Sequence, residues 1–345
     1  MARIDTRTIA SLATLLLLAL NACTDADVGR GTPEDARAFF KGKTMTYVVA
    51  TEPGGGYDTY GRLVSRYFAK HLGLSRVVVQ NIPGGSHLRG TNHIYLARPD
   101  GLTLGTFNTG LIYAQLFRLN GFKADLTRMS WIGKAADDPR ILTVSVKSGF
   151  RSIEDIRKAG RPLLLGADGV NNSGYNDAML VAHVLGLRIK PVFGLSTRDA
   201  QLSMMRGEID ADFGAASSHR PIVNSGYGHT VTRVGQGAGV DEKIPDASDW
   251  ATTSESKALL DIVRLQATLL RWTAGPPGIP EDRLAVLRDA YMAALRDPAL
   301  LAEAHKLDVP IAPMDGATLA REIDRALALS PETVALVASI LGVEP

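Results

Sequence analysis

The sequence predicts an α/β protein with mostly parallel sheets and enough chain for two domains. Three observations carry this. Short β-type runs alternate with helical stripes along the chain. Each of these runs ends in a turn rich in glycine or asparagine. The chain has 345 residues, 45% of them hydrophobic and 21% charged, which suits two soluble cores rather than one.

The N-terminus reads as an address. Arg3 and Arg7 precede an apolar run from Leu12 to Leu20, about half the length that spans a bilayer. Residues 1–22 are therefore expected to be a signal peptide. "LNAC" follows, and its Cys23 is the sole cysteine of the chain. A small residue and cysteine at the end of such a run resemble a bacterial lipobox, with Asn21 unusual there. The expectation is an exported protein, periplasmic or at the cell surface, acylated at Cys23. An ordinary signal cleaved nearby is the alternative. Residues 23–43 are polar, with Gly and Pro, and suit a lipid-anchored tether with an amphipathic turn around Ala36 to Phe40.

Regular structure is predicted from Thr44. The first unit is "TMTYVVA", the turn "TEPGGGYD" and a helix whose Tyr60, Leu63, Val64, Tyr67, Phe68 and Leu72 form one apolar stripe. Asp58 stands where an N-cap belongs. "RVVVQN" leads through "IPGGSH" to a helix that runs towards Ala97, and "LTLGTF" leads through "NTG" to Leu111–Phe117. "PLLLGA" and "DGVNNSG" precede a helix with Ala178, Val181, Ala182 and Leu185 on one face. "IKPVF" is followed by "GLSTRD", in which Ser196 and Asp199 have capping-box spacing. "EIDADFGA" is a sixth β-type run. The last third is helical, with Pro280 at a helix start and Asp297-Pro298 as a break.

Ligands of such sheets bind beyond the carboxyl ends of the strands, where these turns lie. A nucleotide is a poor fit. Gly54, Gly55 and Gly56 are followed by Tyr57, Asp58 and Thr59, so there is no P-loop Gly-Lys-Ser/Thr and no G-x-G-x-x-G. A net charge of +2 without a basic run does not suggest a nucleic-acid partner, and none is expected. No G-x-S-x-G elbow, metal-ligand spacing or paired acids nominate an active site, so no enzyme, metal or cofactor is expected. An anion fits better: helix N-termini present free N–H groups, and glycine lets a ligand approach them. Tight turns that bind nothing are the alternative. The turns hold few cations, so amides and hydroxyls are expected to hold the ligand, while Arg89, Arg140, Arg198 and Arg220 read as structural or solvated. Asp58 and Asp168 would cap helices, orient water or meet a cationic part of the ligand.

"PGGGYDTYGRLVSRYF", "VVVQNIPGGSHLRGTNHIYLARPDGLTLGTF", "AQLSMMRGEIDADF" and "GPPGIPEDRLAVLRDAYMAALRDP" resemble the extracytoplasmic solute receptors of tripartite tricarboxylate transporters, the Bug receptors. The correspondence runs from about Thr44 to Leu341. It implies a type II, Venus-flytrap, periplasmic-binding-protein-like fold with parallel or mixed sheets and a hinged interdomain cleft. Domain 1 would comprise residues 44–137 and 236–345, and domain 2 residues 138–235. It also implies capture of a small organic acid for a permease with one large and one small membrane subunit. The ligand contacts carried over are Gly54, Gly55, Gly56, Tyr57, Asp58, Asn81, Gly84, Gly85, Ser86 and His87. Asn108, Thr109, Asp168, Asn171, Asn172, Ser173, Phe193 and Ser196 complete the set. Val192, Phe193 and Gly194 stand where the family often has Tyr-Lys-Gly, and His87, in place of a glycine, would add a pH-dependent donor. A ligand-sensing lipoprotein feeding a signalling partner, or an exported hydrolase, are the other classes to weigh.

Overall fold

The computed structural model describes residues 32–170, 172–237 and 240–344. The expected signal peptide, Cys23 and Asn171 lie outside them. The first described element is helix α1 (Pro33–Phe40), started by a capping box between Thr32 and Asp35. Its Ala36 and Phe40 are buried in the first core, so this part of the segment expected as a tether packs on the body of the protein.

Among the described residues the strands form two sheets. The first has the order β11-β4-β10-β3-β1-β2, with β1 (Thr44–Val49), β2 (Arg76–Asn81), β3 (Thr103–Thr106), β4 (Ser130–Lys134), β10 (Trp272–Gly275) and β11 (Met314–Asp315). The second has the order β7-β6-β8-β5-β9, with β5 (Arg140–Ser145), β6 (Leu163–Ala167), β7 (Ile189–Phe193), β8 (Ala211–Ala215) and β9 (Gly228–Val234). β1 runs parallel to β2 and β3, and β6 to β7 and β8. These are the predicted strand–turn–helix units. β10 and β5 pair antiparallel with their neighbours, so the sheets are mixed rather than mostly parallel. The reason lies in the connections. β5 and β10 each enter their sheet from the other lobe, β5 after residues 135–139 and β10 after residues 254–268, and not through a strand–helix–strand crossover within the sheet that would make them parallel.

Helices cover the sheets. On one face of the first sheet lie α2 (Gly56–Leu72), α10 (Glu281–Leu295) and α11 (Pro298–Lys306), which bury Leu63, Phe68, Leu287 and Leu300. On the other lie α3 (Leu88–Tyr95), α4 (Leu111–Leu116) and α12 (Gly316–Leu327), around Phe107, Trp131 and Trp272. The second sheet carries α5 (Ile153–Lys158), α6 (Ser173–Leu185), α7 (Thr197–Arg206) and α8 (Ala216–Asn224). Two more helices join its core: α9 (Ser254–Thr268) through Leu259, Leu260 and Val263, and α13 (Pro331–Leu341) through Val337. The return to the first lobe expected at residue 236 therefore comes later, near Leu269, which packs in the first lobe. The chain crosses back at 328–330 so that α13 can cover α6. Both helices are amphipathic and fit either lobe by pattern. Only packing decides which apolar surface they cover.

Candidate functional site

The expected loops converge on one cavity of about 400 Å³ between the lobes, at the carboxyl ends of β1, β2, β6 and β8. Gly55, Gly56 and Tyr57 line it from the first loop. Gly84, Gly85, Ser86 and His87 line it from the second, and Asn108 from the third. Asp168, Asn172, Ser173 and Ser196 face them from the other lobe.

Asp58 does not cap α2, and it does not line the cavity. Gly55 is the N-cap, in an extended conformation, because α2 starts two residues before Asp58. Burial would raise the Asp58 pKa, but Arg62, the Gly54 N–H and Asn81 outweigh it and hold the carboxyl below its usual value. Its Oδ2 accepts from Gly54 N at 3.0 Å and Arg62 Nε at 2.9 Å. Its Oδ1 accepts from Asn81 Nδ2, which also donates to Thr51 O, each at 3.0 Å. Asp58 and Asn81 thus clamp the first loop from behind. Gly54, Thr109 and Phe193 are also absent from the lining. Gly54 turns the loop at φ +90°, Thr109 is buried, and Phe193 is 46% exposed with its ring against the edge of Tyr175.

The second loop is unusual. Gly84, Gly85, Ser86 and His87 all have positive φ, at 121°, 58°, 49° and 78°. For Ser86 and His87 this conformation is costly, and it is retained where a loop has a function to hold in place. It turns the His87 ring inward, where it is 5% exposed. Burial pushes its pKa down to about 4, so the imidazole is neutral near pH 7 and the expected pH-dependent donor does not operate there. The ring instead links the lobes, with Nε2 3.2 Å from Asn172 Nδ2. A neutral Nε2 accepts that hydrogen bond.

Three further contacts tie the lobes together. Asn108 Oδ1 accepts from Ser173 N at 2.9 Å, as well as from Gly110 N at 2.7 Å. Tyr113 Oη, on α4, donates to Asp177 Oδ1 at 3.1 Å. Arg271 Nη2 donates to Ser218 Oγ at 2.9 Å. Burial pushes the Asp177 carboxyl up to about 6, against the opposing pull of Arg140 at 3.0 Å and Tyr113. Arg140, which read as structural or solvated, lines the cavity while paired with Asp177, and its Nη2 donates to Ser173 Oγ at 3.2 Å. Arg198 lines the cavity too, as an exposed residue.

Arg271 is the residue that sequence reasoning missed. It is 4% exposed and lines the cavity. Its guanidinium carbon lies 4.4 Å from the Tyr57 ring centroid and 5.1 Å from that of Tyr60. It also sits on the N-terminus of α2: a Cβ on Gly56 would lie 2.5 Å from its Nη2. Among the described residues no carboxylate pairs with it, and its Nε has no hydrogen-bond partner. A buried unpaired guanidinium is expensive, and beside a helix N-terminus it creates a place for an anion. A signal was present in "LLRWTAG": one arginine inside an apolar run. Its backbone φ of +62°, uncommon outside glycine, aims the side chain back at α2.

The remaining histidine of the lining is not set up as a base. His219 Nδ1 lies 3.0 Å from Ala215 O and Nε2 2.9 Å from Asp212 Oδ2, so both ring nitrogens are engaged. Burial disfavours its charge, but Asp212 outweighs that and raises its pKa. Among the described residues no cluster of three or more His, Cys, Asp or Glu is placed to hold a metal ion.

No family model matches the chain. It is 27% identical over 186 residues to a "UPF0065 protein in tcbD-tcbE intergenic region" of Pseudomonas sp. (strain P51), covering 52% of this chain and 55% of that protein. The chain thus matches about half the length of that relative. A second UPF0065 protein, from the TAR-I ttuE-ttuC' intergenic region of Agrobacterium vitis, is 25% identical over 315 residues, covering 89% of this chain and 87% of its own length. Among solved structures, the periplasmic binding protein BugD superposes with a TM-score of 0.71 at 18% identity, over 88% of this chain and 98% of BugD. MatC from Rhodopseudomonas palustris with bound malate gives 0.69 at 18%, over 87% and 99%. An R. palustris protein with adipate gives 0.71 at 18%, over 88% and 98%. The fold is that of periplasmic binding proteins, and the neighbours include the Bug receptors that the sequence resembles.

Proposed function

We propose that the protein is an extracytoplasmic solute-binding receptor that captures a small organic acid and hands it to a tripartite tricarboxylate-type permease. One observation carries this reading: an unpaired, buried Arg271 at the N-terminus of α2, in a cavity of about 400 Å³ closed by both lobes. A carboxylate there would meet a guanidinium, the free N–H groups of Gly56 and Tyr57, and hydroxyls of the second lobe. The neighbours bound to malate and adipate support a carboxylate ligand. The lipid anchor at Cys23 and the large and small permease subunits belong to the same reading.

The mechanism is hinge closure. Asn108–Ser173, His87–Asn172 and Arg271–Ser218 join the lobes around the cavity. A ligand that bridges the two lobes shifts the population to this closed form only by the amount it binds it better. Micromolar affinity requires about −8 kcal/mol. Three to five charge-assisted hydrogen bonds at roughly 1.5–3 kcal/mol each suffice before ordering costs.

The test is the thermal stability of the mature chain against a panel of mono-, di- and tricarboxylates and amino acids. A ligand at about 1,000 times its Kd adds roughly 4 kcal/mol. In a protein of this size that raises Tm by several degrees. A folded protein that no acid in the panel stabilises, and that copurifies with none, would overturn the receptor reading.

A further inference from the structure

The mouth of the cavity differs in charge from its floor. At the floor Arg271 has no carboxylate partner, and the Arg140 charge is matched by Asp177. At the mouth two exposed carboxylates line the cavity: Glu52 from the first loop and Asp168 from the second lobe. Asp168 faces the second loop, with Oδ2 3.9 Å from His87 Nε2, but that ring is neutral and supplies no counter-charge. The one cationic side chain of the lining at this level is the exposed Arg198, whose Nη1 lies near Gly54. The mouth therefore carries net negative charge and the floor net positive charge. The lining itself carries three guanidinium groups and two carboxylates, with Asp177 behind Arg140 and Asp212 behind His219.

We infer that the ligand is an aminocarboxylate with no net charge, its carboxylate on Arg271 at the floor and its ammonium between Glu52 and Asp168 at the mouth. This rests on the receptor reading above and narrows it. A dicarboxylate filling the cavity would bring its second anion against two like charges, within a Debye length of both. An ammonium there relieves the repulsion between Glu52 and Asp168. Burial, and then the nearness of Glu52, raise the Asp168 pKa, which is the signature of a carboxylate without a matching cation. A simple monocarboxylate satisfies the floor and leaves that repulsion in place. A volume of about 400 Å³ suits a molecule of amino-acid size.

The experiment is isothermal titration of the mature chain at pH 7 with acids of equal carbon number that differ in whether, and where, they carry an ammonium or a second carboxylate. One series is hexanoate, 2-aminohexanoate, 6-aminohexanoate and adipate. The other is butanoate, 2-aminobutanoate, 4-aminobutanoate and succinate. An aminocarboxylate is expected to bind at least about tenfold more tightly than both the dicarboxylate and the unsubstituted acid of its length. In the double variant E52Q/D168N that preference should shrink to within about threefold or reverse. Both side chains are exposed, so the substitutions leave the fold intact, and the single variants should each show part of the change. A dicarboxylate or plain monocarboxylate that binds as tightly in the wild type overturns the inference and leaves the receptor standing. An amino preference unchanged in E52Q/D168N also overturns it. Binding of no acid in either series overturns the inference, while the receptor reading stands or falls on the wider panel above.

Discussion

Arg271→Met separates a binding role for this arginine from a structural one, because the two make opposite predictions. Methionine keeps the length and apolar stem of the side chain and removes the guanidinium. In the ligand-free protein the losses are the cation–π contacts with Tyr57 and Tyr60, about 0.5–2 kcal/mol, and the hydrogen bond to Ser218, about 1 kcal/mol. Set against them is relief from burying an unpaired cation, which costs several kcal/mol. The positive φ at 271 is equally unfavourable for either residue. The ligand-free Tm should therefore stay level or rise. The ligand loses a charge-assisted hydrogen bond worth about 1.5–3 kcal/mol, so its Kd should increase roughly 10–150-fold. Differential scanning calorimetry without ligand and isothermal titration with the best acid of the panel measure the two quantities. A variant that melts well below wild type yet binds normally would refute the reasoning and make Arg271 a structural tie between α2 and α8.

Other substitutions test the remaining parts of the site. Gly55→Val should lower the ligand-free Tm by only about 1–3 °C, since valine caps a helix less well than glycine but a Cβ at this extended N-cap meets nothing within 4 Å, and it should abolish binding because Gly55 lines the cavity. Asp58→Ala should destabilise by roughly 2–3 kcal/mol in urea unfolding, because Gly54 N, Arg62 and Asn81 all lose the acceptor that clamps the first loop. Asn108→Ala should weaken ligand binding about tenfold with a small change in Tm, since its Oδ1 joins the Ser173 N–H across the lobes. His87→Asn tests linkage. Neutral His87 has its pKa lowered from 6.5 to about 4, so the closed form binds fewer protons than the unfolded chain between those values, and the stability from His87 is lost as pH falls through that window. Asp177, raised to about 6, acts with the opposite sign from about pH 4 to 6, which flattens the wild-type profile. Asp177 and the other titrating groups are common to both proteins, so the difference isolates His87: the variant should lose less stability than wild type as pH falls from 6.5 to 4, and a variant profile parallel to wild type would remove His87 from the balance.

Much of the fold was legible because its signals are short-range. The stripe of Leu63, Val64 and Phe68, the capping residues Ser196 and Asp199, and the glycine turns each report on neighbours within one or two turns of helix. The pattern also placed several loops at one end of the sheets, and residues from each of them line one cavity. The helix start was misread by three residues, with the N-cap at Gly55 and not at Asp58. A carboxylate at a helix start can cap the helix or reach back from its third residue, and "GGGYD" allows either. The lobe that α9 and α13 cover was not legible, because an amphipathic face specifies that it must be buried and not against what.

The residues themselves determined the α/β units and the anion-suited turns, since hydrophobic period and turn chemistry act locally. Tertiary structure decided what those turns do. Arg271 meets Ser218, 53 positions away, and the helix that starts at Gly56. Ser173 meets Asn108 across 65. These partners are set by how two lobes close on one another. No local pattern encodes that geometry, and it is there that a buried guanidinium is left without a carboxylate and two exposed carboxylates come to face the same cavity.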